Sequence, residues 1–157
     1  MDRLTEDLGR RLSEKQAFLA VAESCTGGLV AKRVTDIAGS SGWFERGLVV
    51  YSNQAKQDLL GIAPELLDRH GAVSRECAEA MARGLLVMTP AHWAVAITGI
   101  AGPGGGSPEK PVGLVWLAWQ QRGGQVESEV LQLPGSREQI RAAAADAALA
   151  GLLKRLG

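Results

Sequence analysis

Histidine and cysteine are scarce in this 157-residue chain, with two of each. Cys25 and Cys77 lack a CxxC spacing, and with His70 and His92 they make no zinc-ligand pattern, so no metal is expected. Net charge is missing too. Seventeen basic side chains cancel seventeen acidic ones, which removes the electrostatic basis for binding nucleic acid or an anionic membrane surface. No apolar run approaches bilayer-spanning length. The opening Met1-Asp2-Arg3-Leu4-Thr5-Glu6-Asp7 is charged and helical in pattern, unlike a signal peptide. There is no internal repeat, and no low-complexity stretch apart from a glycine loop at 99–106. These absences leave a cytoplasmic, reducing-compartment protein as the expectation. Residues 1–157 are expected to form a single domain, long enough to bury a core without staples.

What is present is an alternation of short apolar runs and amphipathic segments. Residues 3–16 read as a helix with Leu4, Leu8 and Leu12 on one stripe. An apolar run at 17–22 has buried-strand length, and 27–37 carries helical periodicity. Residues 38–43 are a loop by composition. A second buried strand is expected at 47–51, then a helix at 53–60 capped by Ser52 and ended by Gly61. Pro64 opens a helical turn at 64–70, and Ser74 caps a helix at 75–89. A third strand at 92–98 runs into the glycine loop. Strands at 113–121 and 125–133 pivot on Gly123-Gly124, and Ser136-Arg137-Glu138-Gln139 is a capping box opening helix 137–155.

This order predicts an α/β fold of three layers: a mostly parallel, mixed sheet with a C-terminal antiparallel hairpin and helices on both faces. Ligands in such sheets bind outside the carboxyl ends of the strands. Three polar or glycine-rich segments leave the three parallel strands there: 23–28, 51–56 and 98–106. Far apart in sequence, they converge on one crevice in this architecture.

The first of them, Glu23-Ser24-Cys25-Thr26-Gly27-Gly28, mixes hydroxyls, a thiol and a carboxylate at a strand-to-helix junction. The N–H groups of the following helix are expected to be open to an anion. Ser24 as nucleophile needs a base. His92 begins its strand at the opposite edge, and His70 sits at a helix C-terminus beside Gly71. Lys56 is better placed, early in the helix after strand 47–51, where the helix N-terminus and partial burial both lower a lysine pKa. Tyr51 is positioned to donate to an oxyanion or to orient Lys56. Cys25 is the rival nucleophile, as a thiol at a helix N-terminus can have a depressed pKa. Glu23 would weaken the base by holding Lys56 charged. In the loop 99–106, backbone N–H groups at Gly99 and Gly102 can approach a phosphate, although it matches neither a dinucleotide fingerprint nor a P-loop. Arg137 or Arg141 supplies charge for an anion. Trp43 suits either a ring-stacking role or a subunit interface.

Four of these segments carry a resemblance: Ala22-Glu23-Ser24-Cys25-Thr26-Gly27-Gly28, Gly47 through Lys56 with its Tyr51-Ser52-Asn53-Gln54-Ala55-Lys56 end, Gly71-Ala72-Val73-Ser74, and Thr98-Gly99-Ile100-Ala101-Gly102-Pro103 with Lys110-Pro111-Val112-Gly113. Together they resemble the CinA C-terminal domain family of competence/damage-inducible proteins, in order and over essentially the whole chain. The chain looks like a stand-alone domain of that family. Active members are nicotinamide-nucleotide amidases, so the resemblance implies hydrolysis of the carboxamide of nicotinamide mononucleotide to nicotinate mononucleotide and ammonia, with no cofactor. It implies Ser24 and Lys56 as a serine–lysine pair with Tyr51 in support. Cys25, Thr26, Gly27 and Gly28 then offer backbone donors to the substrate, and Ser41 and Thr98 stand where the family has polar site residues. The small molecule is the expected partner, and homo-oligomer formation is left open. The alternative is a non-catalytic nucleotide- or partner-binding module acting in competence or a DNA-damage response.

Overall fold

Residues 2–157 are described by a computed structural model. The elements run α1 (Arg3–Glu14), β1 (Leu19–Glu23), α2 (Leu29–Thr35), a 3-10 turn at Ser40–Gly42, β2 (Phe44–Val49), α3 (Asn53–Leu60), α4 (Pro64–His70), α5 (Arg75–Met88), β3 (Trp93–Gly99), β4 (Leu114–Gln121), β5 (Glu127–Gln132) and α6 (Arg137–Leu156). The five strands form one sheet in the order β2-β1-β3-β4-β5. β1 pairs parallel with both β2 and β3, and β4 and β5 add antiparallel. The sheet is mixed, as expected.

The pleat decides which layer each strand residue joins. Leu19, Val21, Val95, Ile97, Val115, Leu117 and Trp119 pack with Leu8 and Leu12 of α1, Val30 and Val34 of α2 and the inner side of α6. The intervening Ala20, Ala22, Ala94, Ala96 and Ala118 pack under Leu60 of α3, Leu67 of α4 and the α5 residues Ala78, Met81 and Leu85. Large side chains thus face one helical layer and alanines the other. Each fully buried Leu or Val stabilises the fold by about 1.5–3 kcal/mol. The Ser136 capping box is formed at α6, and Ser52 and Ser74 accept from Ala55 and Cys77 N–H.

Several boundaries shift by a few residues from the sequence reading, and two of these shifts have a clear physical cause. The second strand starts at Phe44 rather than Gly47, and it is a half-exposed edge strand, not a buried one. An edge tolerates the charged Glu45-Arg46 pair that hides its first half from an apolar-run criterion. The helix after Ser24 starts at Leu29 because residues 24–27 form a turn closed by Gly27 N–H on the Ser24 carbonyl. Gly28 then takes φ 106°, open to glycine alone at little cost. Trp43 is 3 % exposed in the core. A Cβ on Gly9 of α1 would lie 2.6 Å from its ring, so its role is packing. Among the described residues, no helix is long and apolar enough to cross a membrane.

Candidate active site

β1 lies between β2 and β3. The chain leaves it through α2 on one face and later returns to β3 through α3, α4 and α5 on the other. The C-terminal end of β1 is therefore the point where the winding reverses, the usual place for a crevice in such sheets. Ser24 is the next residue. Its N–H donates to the Ile97 carbonyl of β3, and Val50 N–H donates to the Glu23 carbonyl, so the turn is stitched to both neighbouring strands.

Alternation separates the two side chains at this junction. Glu23 follows Leu19 and Val21 toward α2, where its carboxylate accepts from Val30 N–H at 2.9 Å and Ala31 N–H at 3.0 Å. This corrects two expectations. The α2 N-terminus is not open to a ligand anion, because Glu23 already occupies it. Nor does Glu23 hold Lys56 charged. Ser24 follows Ala20 and Ala22 toward α3, and there it meets Lys56.

Lys56 lies in the first turn of α3 and is 1 % exposed. Its Nζ stands 3.2 Å from Ser24 Oγ and donates to the Tyr51 carbonyl at 3.0 Å. No carboxylate pairs with it among the described residues. Burial lowers its pKa below the usual lysine range, and the only opposing charges are the Cys77 and Cys25 thiols. Burial pushes each of those thiols up to about 11, so at neutral pH they are uncharged. A buried amine without a counter-ion is best kept neutral. The same shift counts against Cys25 as nucleophile: its thiol lies well above the range where a thiolate forms.

A cavity of about 200 Å³ opens over this pair, lined by Ser24, Cys25, Tyr51, Lys56, Thr98, Gly99 and Arg137, with Asn53, Ala72, Val73 and Ala101. Thr98 donates its hydroxyl to the Ala72 carbonyl at 2.8 Å, holding the α4–α5 connector against β3. A Cβ on Gly99 would lie 2.9 Å from the Leu114 carbonyl oxygen and 3.1 Å from Cys25 Sγ, so glycine is needed there for space. Tyr51, expected to close the second strand, lies two residues beyond the end of β2. Its ring is 62 % exposed at the mouth, and it is its carbonyl that orients Lys56. Arg137, the first residue of α6, donates to the Gly102 carbonyl at 2.7 Å and reaches the Tyr51 hydroxyl at 3.4 Å. Gly102 thus serves the site through Arg137.

Other sequence candidates lie elsewhere. Ser41 is exposed in the 3-10 turn before β2, at the opposite edge of the sheet. Thr26 is wholly buried with its hydroxyl unpartnered, and Gly27 and Gly28 shape the turn without lining the cavity. Arg141 is behind the turn, donating to the Cys25 and Thr26 carbonyls at 3.1 Å each. Both histidines are away from the crevice: His92 accepts from Phe18 N–H at the far edge, and His70 sits 3.6 Å from Glu76. Asn53, Ala72 and Val73 were not anticipated. Asn53 sits inside the Ser52–Lys56 motif, but nothing chemical marks Ala72 or Val73. Among the described residues no three His, Cys, Asp or Glu side chains cluster as a metal site.

Known proteins resemble this chain along nearly its whole length. Residues 1–156 match the CinA C-terminal domain. The chain is 50 % identical over 151 residues to a nicotinamide-nucleotide amidohydrolase PncC of Pseudomonas putida, covering 96 % of this chain and 94 % of that protein. It is 52 % identical over 142 residues to a CinA-like protein of Akkermansia muciniphila, covering 90 % of this chain and about a third (34 %) of the longer relative. The crystal structure of competence damage-inducible protein A from Klebsiella pneumoniae superposes with a TM-score of 0.95 at 38 % identity, covering 98 % of this chain and 95 % of that one. A match of this extent leaves one conclusion: the chain belongs to the CinA C-terminal domain family.

Proposed function

We propose that this protein is an amidase that hydrolyses the carboxamide of nicotinamide mononucleotide, using Ser24 as nucleophile and Lys56 as general base. The observation that carries the reading is the buried Lys56 amine, 3.2 Å from Ser24 Oγ and without a counter-ion. Relatives near half identity that bear the amidohydrolase name support it.

Lys56 keeps one N–H on the Tyr51 carbonyl and turns its lone pair to the Ser24 hydroxyl. It takes that proton as Oγ bonds to the carboxamide carbon. The oxyanion is received beside Ser24 by the Cys25 backbone N–H, since Cys25 is the residue of the 25–28 turn that lines the cavity. Lys56 then protonates the departing nitrogen, the C–N bond breaks and ammonia leaves. Water, deprotonated by the same amine, attacks the acyl-enzyme, and the Ser24–carbonyl bond breaks as Lys56 returns that proton to Oγ, releasing nicotinate mononucleotide.

A cavity of about 200 Å³ lies below the usual range for a whole bound ligand, roughly 300–1,000 Å³. The pyridine carboxamide enters it, and the ribose phosphate extends across the mouth toward Arg137. The test is ammonia release from nicotinamide mononucleotide by the wild type and by Ser24→Ala. Turnover by the first and none by the second is expected. No ammonia from the wild type would favour a binding module.

A further inference from the structure

Behind the Ser24 turn lies a cation that the reaction as described does not use. Arg141 comes from the second turn of α6 and has no acidic partner among the described residues. Its Nε donates to the Cys25 carbonyl and its Nη2 to the Thr26 carbonyl. It packs so closely that a Cβ on Gly27 would lie 2.9 Å from Nη2.

Peptide planarity turns these two bonds into a constraint on the other side of the turn. In a trans peptide the C=O of one residue and the N–H of the next point in opposite directions. Fixing the Cys25 carbonyl on Arg141 therefore fixes Thr26 N–H facing away from it. Fixing the Thr26 carbonyl, which also accepts from Leu29 N–H, likewise directs Gly27 N–H away, where it is taken by the Ser24 carbonyl at 3.1 Å. That bond ties off the Ser24 carbonyl, so Cys25 N–H, on the same peptide plane, faces the other way. Thr26 is wholly buried and outside the cavity lining, whereas Cys25 lines it, and Cys25 N–H has no backbone acceptor among the described residues.

We propose that Arg141 is a positioning residue for the amide hydrolysis: by holding the Cys25 and Thr26 carbonyls it fixes the turn that sets the Cys25 N–H as an oxyanion donor beside Ser24. This rests on the amidase reading above, and it takes Arg141 out of the set of substrate-phosphate ligands. One guanidinium suits the task because its planar fork serves two carbonyls at once, which a lysine ammonium cannot match in geometry.

The experiment is steady-state ammonia release from nicotinamide mononucleotide by wild type, Arg141→Lys and Arg141→Gln, with thermal midpoints measured alongside. A donor that is loosened rather than deleted should lower kcat by about 10–100-fold, somewhat less than outright loss of an oxyanion donor. KM should stay within about twofold, since the donor acts in the transition state and not on bound substrate. The acid limb of the pH–rate profile should not move, because Lys56 keeps its surroundings. Arg141→Lys should fall between the other two. A rise in KM with kcat unchanged would make Arg141 a ligand for the substrate and overturn the proposal, as would Arg141→Gln retaining a third or more of wild-type kcat. If Arg141→Gln does not fold, Arg141→Lys decides alone, and wild-type kcat in that variant overturns the assignment. An inactive wild type would instead sink the amidase reading itself.

Discussion

Lys56→Met should abolish most of the activity and at the same time make the protein more stable. Methionine keeps an unbranched stem in a position that is 1 % exposed and removes an amine whose charged form has no partner there. Loss of a positioned base typically lowers kcat by about 10²–10⁴-fold, or roughly 2.7–5.5 kcal/mol of barrier. Lys56→Arg should lose as much, because a guanidinium near neutral pH has no lone pair to offer. In the wild type, kcat/KM should fall about one decade per pH unit below the lowered lysine pKa. The sign for stability follows from proton counting. Between the lowered folded pKa and the unfolded value of 10.5, the unfolded chain binds a proton that the folded one does not. Wild-type stability therefore gains with rising pH across that window. Lys56→Met lacks the linkage, so its advantage should be largest at neutral pH and shrink toward pH 10. In a chain of this size each kcal/mol moves the thermal midpoint by about 2–4 °C, which calorimetry resolves. A stability difference that stays flat from pH 6 to 10 would show that the lysine pKa is not lowered by folding. Substantial ammonia release by Lys56→Arg would reduce Lys56 to an electrostatic role.

Three further outcomes are expected. Ser24→Ala should be inactive and folded, while Cys25→Ala should keep most activity because its thiol is held protonated; the reverse pattern in an ammonia assay would exchange the nucleophile. Arg137→Ala should lower kcat/KM on nicotinamide mononucleotide by roughly 10–150-fold, the value of one charge-assisted contact, with far less effect on nicotinamide riboside. Equal losses on both substrates would remove the phosphate from Arg137. Glu23→Ala should lower the thermal midpoint by about 2–8 °C, since two buried helix N–H groups lose their acceptor at about 1–2 kcal/mol; an unchanged midpoint would mean that α2 recaps itself.

Much of this site was legible before the fold was seen, for a physical reason. Ser24, Tyr51 and Lys56 follow strands that the apolar runs mark and Thr98 and Gly99 end one, and a parallel sheet brings such segments to one edge. The split between Glu23 and Ser24 went unread, since Glu23 was set against Lys56, although residues of opposite parity leave opposite faces of a strand. What stayed hidden depended on pairing and side-chain reach. Nothing in Phe44-Glu45-Arg46 announces an edge strand until its partner β1 is known. Arg137 and Arg141 are one helical turn apart in the same motif, and only the position of the Ser24 turn separates the arginine at the mouth from the one behind it. Ala72 and Val73 reach the cavity because Thr98 holds their connector, a long-range contact that local sequence cannot express. Ser41 fails for the opposite reason: its loop leads into the start of a strand, and this site is built at strand ends.

The distribution of charge around Ser24 has a consequence for the chemistry. The one carboxylate adjacent to Ser24 is spent on two backbone N–H groups of α2, and no carboxylate lines the cavity. What remains is positive or neutral: Arg137 at the mouth, Arg141 behind the turn, and an amine whose ammonium form burial disfavours. Such a surrounding favours each negative charge that amide hydrolysis creates, the oxyanion first and the carboxylate product last, and it disfavours protonated Lys56 at rest. Had Glu23 pointed the other way, it would have charged the lysine and repelled the oxyanion together. On the proposed mechanism, the parity of one strand decides both whether the base is free and whether the oxyanion is repelled, because Glu23 and Ser24 stand side by side in the chain yet leave opposite faces of the sheet.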